Sequence, residues 1–296
     1  MIDYDHKRWA ATTLVWRGTV LSRLRNRIIF YSGWAAVVSI VFVGKTMPMP
    51  DFGALAHSLV GVAMGMLLVF RTNASYDRFW EGRKRWGGII AGARNLLRVS
   101  RSHIGEVGPL PALVHAHALA VMHYLRGTSD TESVAEVIGP ELTKAAYARA
   151  NPPVFLTTVM SRWVASKVAS GQLNPPLARE VEGALTKMVE HQEACERILR
   201  TPVPFAYVVQ IRQLLVFYLA TLPVVLVPVM DWLVIPVTAM VAFAMLGIEE
   251  AGIEIEDPFG SDPNDLPLEE FCEIVRADSA DIESVSDAEL SIALVG

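Results

Sequence analysis

A chain of 296 residues with 52% hydrophobic and 19% charged side chains is too apolar for a disordered polypeptide or an ordinary soluble enzyme. Its net charge of −5 argues against nucleic acid as a partner, which would need a concentrated basic face. Two cysteines, Cys195 and Cys272, lie far apart without CxxC spacing, which disfavours a disulfide framework or zinc site and fits a reducing, cytoplasmic setting.

The opening residues MIDYDHKRWA lack the basic segment and short apolar core of a secretion signal. Four apolar runs of about 17 to 19 residues lie further along. Ile28–Gly44 carries no charge, and Phe52–Phe70 has only His57 as a titratable group. Leu214–Met230 and Trp232–Ile248 are uncharged and separated by Asp231. Such lengths suffice to cross a hydrocarbon core of roughly 30 Å. Arg23, Arg25 and Arg27 precede the first run; Arg71, Arg78, Arg83, Lys84 and Arg85 follow the second; Arg212 precedes the third. The connection Lys45–Asp51 has one Lys and the Met230/Asp231 turn none. Basic residues collect on the cytoplasmic side, so both short turns are expected outside and both termini inside. The expected order is a cytosolic segment at 1–27, a membrane hairpin at 28–70 and a helical cytosolic domain at 71–213. A second hairpin at 214–248 and an acidic cytosolic segment at 249–296 follow.

The second run does not end in a loop. It continues as FRTNASYDRFWEGR, from Phe70 to Arg83, with aromatics, both charge signs and no proline, as one helix passing from lipid into a polar interior would. Val62, Met66 and Phe70 share a face at four-residue spacing, while Gly61, Ala63 and Gly65 offer small surfaces for close packing. An apolar face that leads into a wet, charged vestibule suits a water path, since apolar constrictions gate by dewetting.

Between Trp86 and Gln213 apolar residues recur at helical steps, for instance Val181, Leu185, Met188, Gln192, Cys195 and Ile198. Pro152-Pro153 and Pro175-Pro176 mark breaks between helices. His115, His117 and His123 lack the i, i+4 spacing and nearby acid of a zinc helix, so interhelical hydrogen bonds are the expected role. No phosphate-binding loop, dinucleotide fingerprint or nucleophile elbow is present, and neither an enzyme, a metal site nor a cofactor is expected. From Glu249 onward there are 15 acids against one basic residue, Arg276. The first part, Glu249 to Gly260, keeps apolar residues and is expected to pack near the basic residues after the second run.

Four motifs in order resemble the bacterial bestrophin family. They are Trp16-Arg17-Gly18-Thr19, the run FRTNASYDRFWEGRKRWGGII, Cys195-Glu196-Arg197-Ile198 with Thr201 to Tyr207, and Asp257-Pro258-Phe259-Gly260-Ser261-Asp262-Pro263-Asn264-Asp265-Leu266. The resemblance implies an all-α membrane protein of the bacterial inner membrane, with four membrane helices per subunit and a helical cytosolic region. It also implies a homopentamer around one pore that passes small monovalent ions. Val62, Met66 and Phe70 would form the neck, Leu177 a cytosolic constriction, and Arg71, Arg78, Glu249 and Glu250 the vestibule charges. Animal members bind calcium through an acidic cluster; here Ser261, Pro263 and Asn264 interrupt it, leaving Asp262 and Asp265, so little calcium activation is expected. The acidic cytosolic portion leans the ion preference slightly to cations. The alternatives are an anion channel, as in animal bestrophins, and a non-conducting membrane scaffold.

Overall fold

Prolines, capping side chains and left-handed glycines divide the chain into helices, and a computed structural model describes residues 19–43 and 54–285. Ten α-helices, and no strand, occur among the described residues: α1 (Val20–Val43), α2 (Ala54–Ile104), α3 (Leu110–Arg126), α4 (Thr131–Ile138), α5 (Pro140–Tyr147), α6 (Pro152–Ala169), α7 (Pro175–Arg200), α8 (Phe205–Met230), α9 (Val234–Glu254) and α10 (Leu268–Ser284). The Trp16-Arg17-Gly18 part of the first motif and the connection Lys45–Asp51 lie outside the described residues.

Local chemistry accounts for the boundaries. The paired prolines open α6 and α7, where a missing N–H costs nothing because the first turn has no intrahelical acceptor. Asn151 accepts from the Val154 N–H, and Asp130 caps α4 through the N–H groups of Glu132 and Ser133. Gly127 ends α3 at φ 65°, a conformation that favours glycine.

Among the described residues, three helical stretches are long and apolar enough to cross a membrane: α1, α2 and Phe205–Glu254. A short 3-10 turn, Asp231–Leu233, splits the third into α8 and α9 at the position the sequence marks with a lone acid. Helix α2 has 51 residues, or about 75 Å at 1.5 Å per residue. Its polar half continues the helix without a break, as the sequence from Phe70 to Arg83 implied.

The described residues form two compact units. The first holds the residues up to Phe79, Pro202–Asp257 and Asp262–Asp265. Its core joins Leu24, Tyr31, Met64, Leu68, Leu219 and Leu246 from α1, α2, α8 and α9. Gly61 permits the close approach of α8, since a Cβ there would stand 2.7 Å from the Tyr218 hydroxyl. Gly65 has no neighbour within that range in the subunit. The second unit holds Trp80–Thr201, Pro258–Ser261 and the residues from Leu266. Trp86, Leu96, Val114, Met160, Met188 and Phe271 are buried there. Gly82 sits under Pro258 and Phe259, whose side chains would lie 3.0 and 3.1 Å from a Cβ. Phe259 is fully buried, so this part of the Asp257–Leu266 motif has a packing role.

Candidate pore face and its charge network

Helix α2 has two faces between residues 62 and 77. Met64, Leu68, Arg71 and Ser75 recur at steps of three and four residues and are all buried. Opposite them, Val62, Met66 and Phe70 are 67%, 57% and 57% exposed. The same uncovered face continues through Asn73 and Asp77, both exposed. Thus the three side chains singled out from the sequence share one face, and the subunit's own helices leave it open.

The charges resolve differently. Arg71 and Glu249 are 1% and 3% exposed, and Glu250 is also buried. The Arg71 guanidinium donates to Glu249 Oε1 at 3.0 Å and lies 3.6 Å from Glu256 Oε2. Glu249 Oε1 also accepts from Arg212 Nε at 3.0 Å. Arg27 donates to Glu250 at 3.1 Å, and Arg23 pairs with Asp262 at 3.2 Å. The sequence leads one to expect Arg71, Glu249 and Glu250 as vestibule charges; in the structure they are buried and paired within the chain. Low-dielectric surroundings make an unpaired ion costly, so these groups neutralise one another inside the subunit. Assembly can only bury them further. Arg78 is half-buried, and its Nε donates to the Glu256 carbonyl at 3.1 Å. The expectation that Glu249 to Gly260 packs near the basic residues after the second run therefore holds for Arg71 and Arg78. In the sequence, Arg23, Arg27 and Arg212 read only as topology markers. Acids at the end of one apolar run and arginines at the edges of three others were the signal that could have joined them.

The two positions left from the calcium-binding pattern serve local structure. Asp265 Oδ2 accepts from the Asp262 N–H at 2.7 Å, and the Asp262 carboxylate faces Arg23. Burial, with Asp262, Asp257 and Glu254 nearby, pushes the Asp265 carboxyl up to about 6. No group of three His, Cys, Asp or Glu side chains able to hold a metal occurs among the described residues.

In the second unit, Leu177 occupies the first turn of α7 and is half-buried. It stands on the same helix as Cys195. The three α3 histidines turn to different helices. His117 Nε2 is 3.0 Å from Gln192 Oε1 on α7, and His123 Nδ1 is 2.7 Å from the Tyr147 hydroxyl on α5. His115 faces Glu273 and Arg276 of α10. They do not converge on a common point, and full burial lowers His117 to about 4, keeping it neutral. Cys195 and Cys272 are buried thiols pushed up to about 12, which makes them inert packing groups.

Long apolar helices, one of them with an uncovered face passing from apolar to polar residues, define an all-helical membrane protein. The chain belongs to the bestrophins: the family described as Bacterial/Fungal Bestrophin protein matches residues 1–281. A Nostoc protein named a voltage-dependent anion channel-forming protein is 34% identical, over 95% of this chain and 93% of its own. A Synechocystis protein of the same designation is 32% identical, over 93% and 91%. Among solved structures, a bacterial bestrophin homolog from Klebsiella pneumoniae shares the fold with a TM-score of 0.83 at 23% identity, covering 89% of this chain and 100% of that one.

Proposed function

We propose that the chain is a passive ion channel of the bestrophin type, a homopentamer in which five copies of α2 surround one pore. The observation that carries this reading is the uncovered face of α2. A membrane helix that only faced lipid would gain nothing from Asn73 and Asp77 in line with Val62, Met66 and Phe70. A helix lining water gains both an apolar constriction and a wet exit. Three stacked rings of Val62, Met66 and Phe70 form the neck, and Leu177, near the surface of the second unit, forms the cytosolic constriction. Each subunit crosses the bacterial inner membrane four times, with both termini in the cytoplasm and lipid around α1, α8 and α9. Small monovalent ions pass, with cations favoured. The designation of the Nostoc and Synechocystis proteins favours a second reading, in which anions pass.

Purified full-length protein in liposomes tests the proposal. Ion flux down an imposed gradient is expected, and its absence under every gradient would leave the scaffold reading. The reversal potential in asymmetric NaCl separates cation from anion passage.

A further inference from the structure

We infer that Asp77 sets the charge preference of the pore by presenting a carboxylate to passing ions just past the neck. The inference rests on the proposed pore face. Phe70 and Asp77 are seven residues apart, which is nearly two helical turns, so their side chains leave α2 within about 20° of each other and about 10 Å apart along the axis. Between Ala54 and Asp77 the helix contains two formal charges, Arg71 and Asp77. Arg71 is removed from the balance by burial against Glu249. Arg78, the next residue, leaves the helix about 100° around from Asp77 and is engaged with the Glu256 carbonyl. Asp77 is exposed, and its side chain has no ion-pair or hydrogen-bond partner among the described residues.

Its charge is therefore the one left uncompensated on the open face from Val62 to Asp77. Copied around an oligomer, it becomes a ring of carboxylates at the cytosolic exit of an apolar neck that has no sign preference of its own. Such a ring concentrates cations and repels anions. The ring is wet, so salt must screen it: the screening length is about 30 Å at 0.01 M and about 3 Å at 1 M.

Reversal potentials and conductances of the full-length protein in bilayers under NaCl gradients test this, using wild type, Asp77→Asn, Asp77→Glu, Phe70→Ala and Met66→Ala. Asp77→Asn is expected to shift the Na⁺/Cl⁻ permeability ratio toward chloride by about threefold or more near 0.01 M, as unit charges about 10 Å away in water would. Asp77→Glu should keep the wild-type ratio, and the difference should shrink at 1 M. Phe70→Ala reports on the pore face independently through conductance. If Phe70→Ala raises conductance but Asp77→Asn leaves the low-salt ratio unchanged, the role of Asp77 is overturned and the pore face stands. If neither Phe70→Ala nor Met66→Ala alters conductance, the pore face fails and takes this inference with it.

Discussion

The covered and open faces of α2 belong to one helix but obey opposite rules. On the covered face every ion is matched: Arg71 meets Glu249 and Glu256, with Arg212 on the same glutamate. On the open face Val62, Met66 and Phe70 are large and apolar without covering, and Asp77 has no partner among the described residues. Subunit stability explains the first arrangement and gives no reason for the second. The difference separates the residues that hold the subunit together from those left free for the proposed ion path.

The largest effects should follow from breaking the covered face. Arg71→Ala leaves buried Glu249 with Arg212, and Glu249→Ala leaves buried Arg71 with Glu256; each loses its closest buried partner and should cost up to about 3–5 kcal/mol, read as a lower unfolding temperature of the purified protein in detergent. Replacing both by methionine should cost less than the sum of the two single changes, because the two most buried ions leave together. If Arg71→Ala melts like wild type, the network is not structural and the contrast between the faces collapses.

Next in size is a steric test further along α2. Gly82→Val would drive a branched side chain into Pro258 and Phe259, and overpacking of this kind costs about 1–3 kcal/mol. Phe259→Ala added to Gly82→Val should cost less than the sum of the two single changes, because the two side chains contend for the same space. Unchanged stability of Gly82→Val would mean that the motif at 258–260 moves aside easily and is not a fixed packing element.

Neither of these two sites is legible in the sequence, although the elements that carry them are. The long apolar runs, the unbroken passage from Phe70 to Arg83 and the prolines at 152–153 and 175–176 all announce their structure through composition and local rules. The open stripe of Val62, Met66 and Phe70 is also legible, because its periodicity lies within one helix. The pairing of Arg71 with Glu249 spans 178 positions. Nothing local distinguishes an arginine destined for burial from one destined for water, so the sequence alone puts Arg71 and Arg78 together in the vestibule. Gly82 is similar: a glycine inside a helix signals a close approach, but Phe259 as the neighbour emerges only once the chain is folded.

A smaller effect tests the acids that remain at Asp262 and Asp265. Because the folded-state pKa of Asp265 is raised to about 6, above the usual carboxylate value, the folded protein binds an extra proton between roughly pH 4 and 6. The sign follows: this group's contribution is fully present below pH 4 and is lost as pH rises through 6. Asp265→Asn can still accept from the Asp262 N–H, so it should keep the loop while flattening that dependence. Unfolding temperatures of the two proteins across pH 4–7 would converge at the acid end and separate toward neutrality, with wild type lower. Parallel curves would show that Asp265 ionises freely in the fold. Added calcium should raise the unfolding temperature of neither protein, since Asp262 is occupied by Arg23 and Asp265 by a backbone N–H.

The smallest stability effect belongs to the open face, and that smallness is what sharpens the comparison. Phe70→Ala or Met66→Ala removes no contact that the covered core depends on, so subunit stability should change by no more than about 0.5 kcal/mol, as at other exposed positions. Ion flux in liposomes should rise, because a smaller side chain widens an apolar ring and lowers the cost of wetting it. The two readouts are needed together. A large loss of stability with unchanged flux would mean that this face is buried by a neighbour, as packing and not as a water path. Unchanged stability with raised flux would mark a face freed from the demands of folding, whose residues are set by what passes along it.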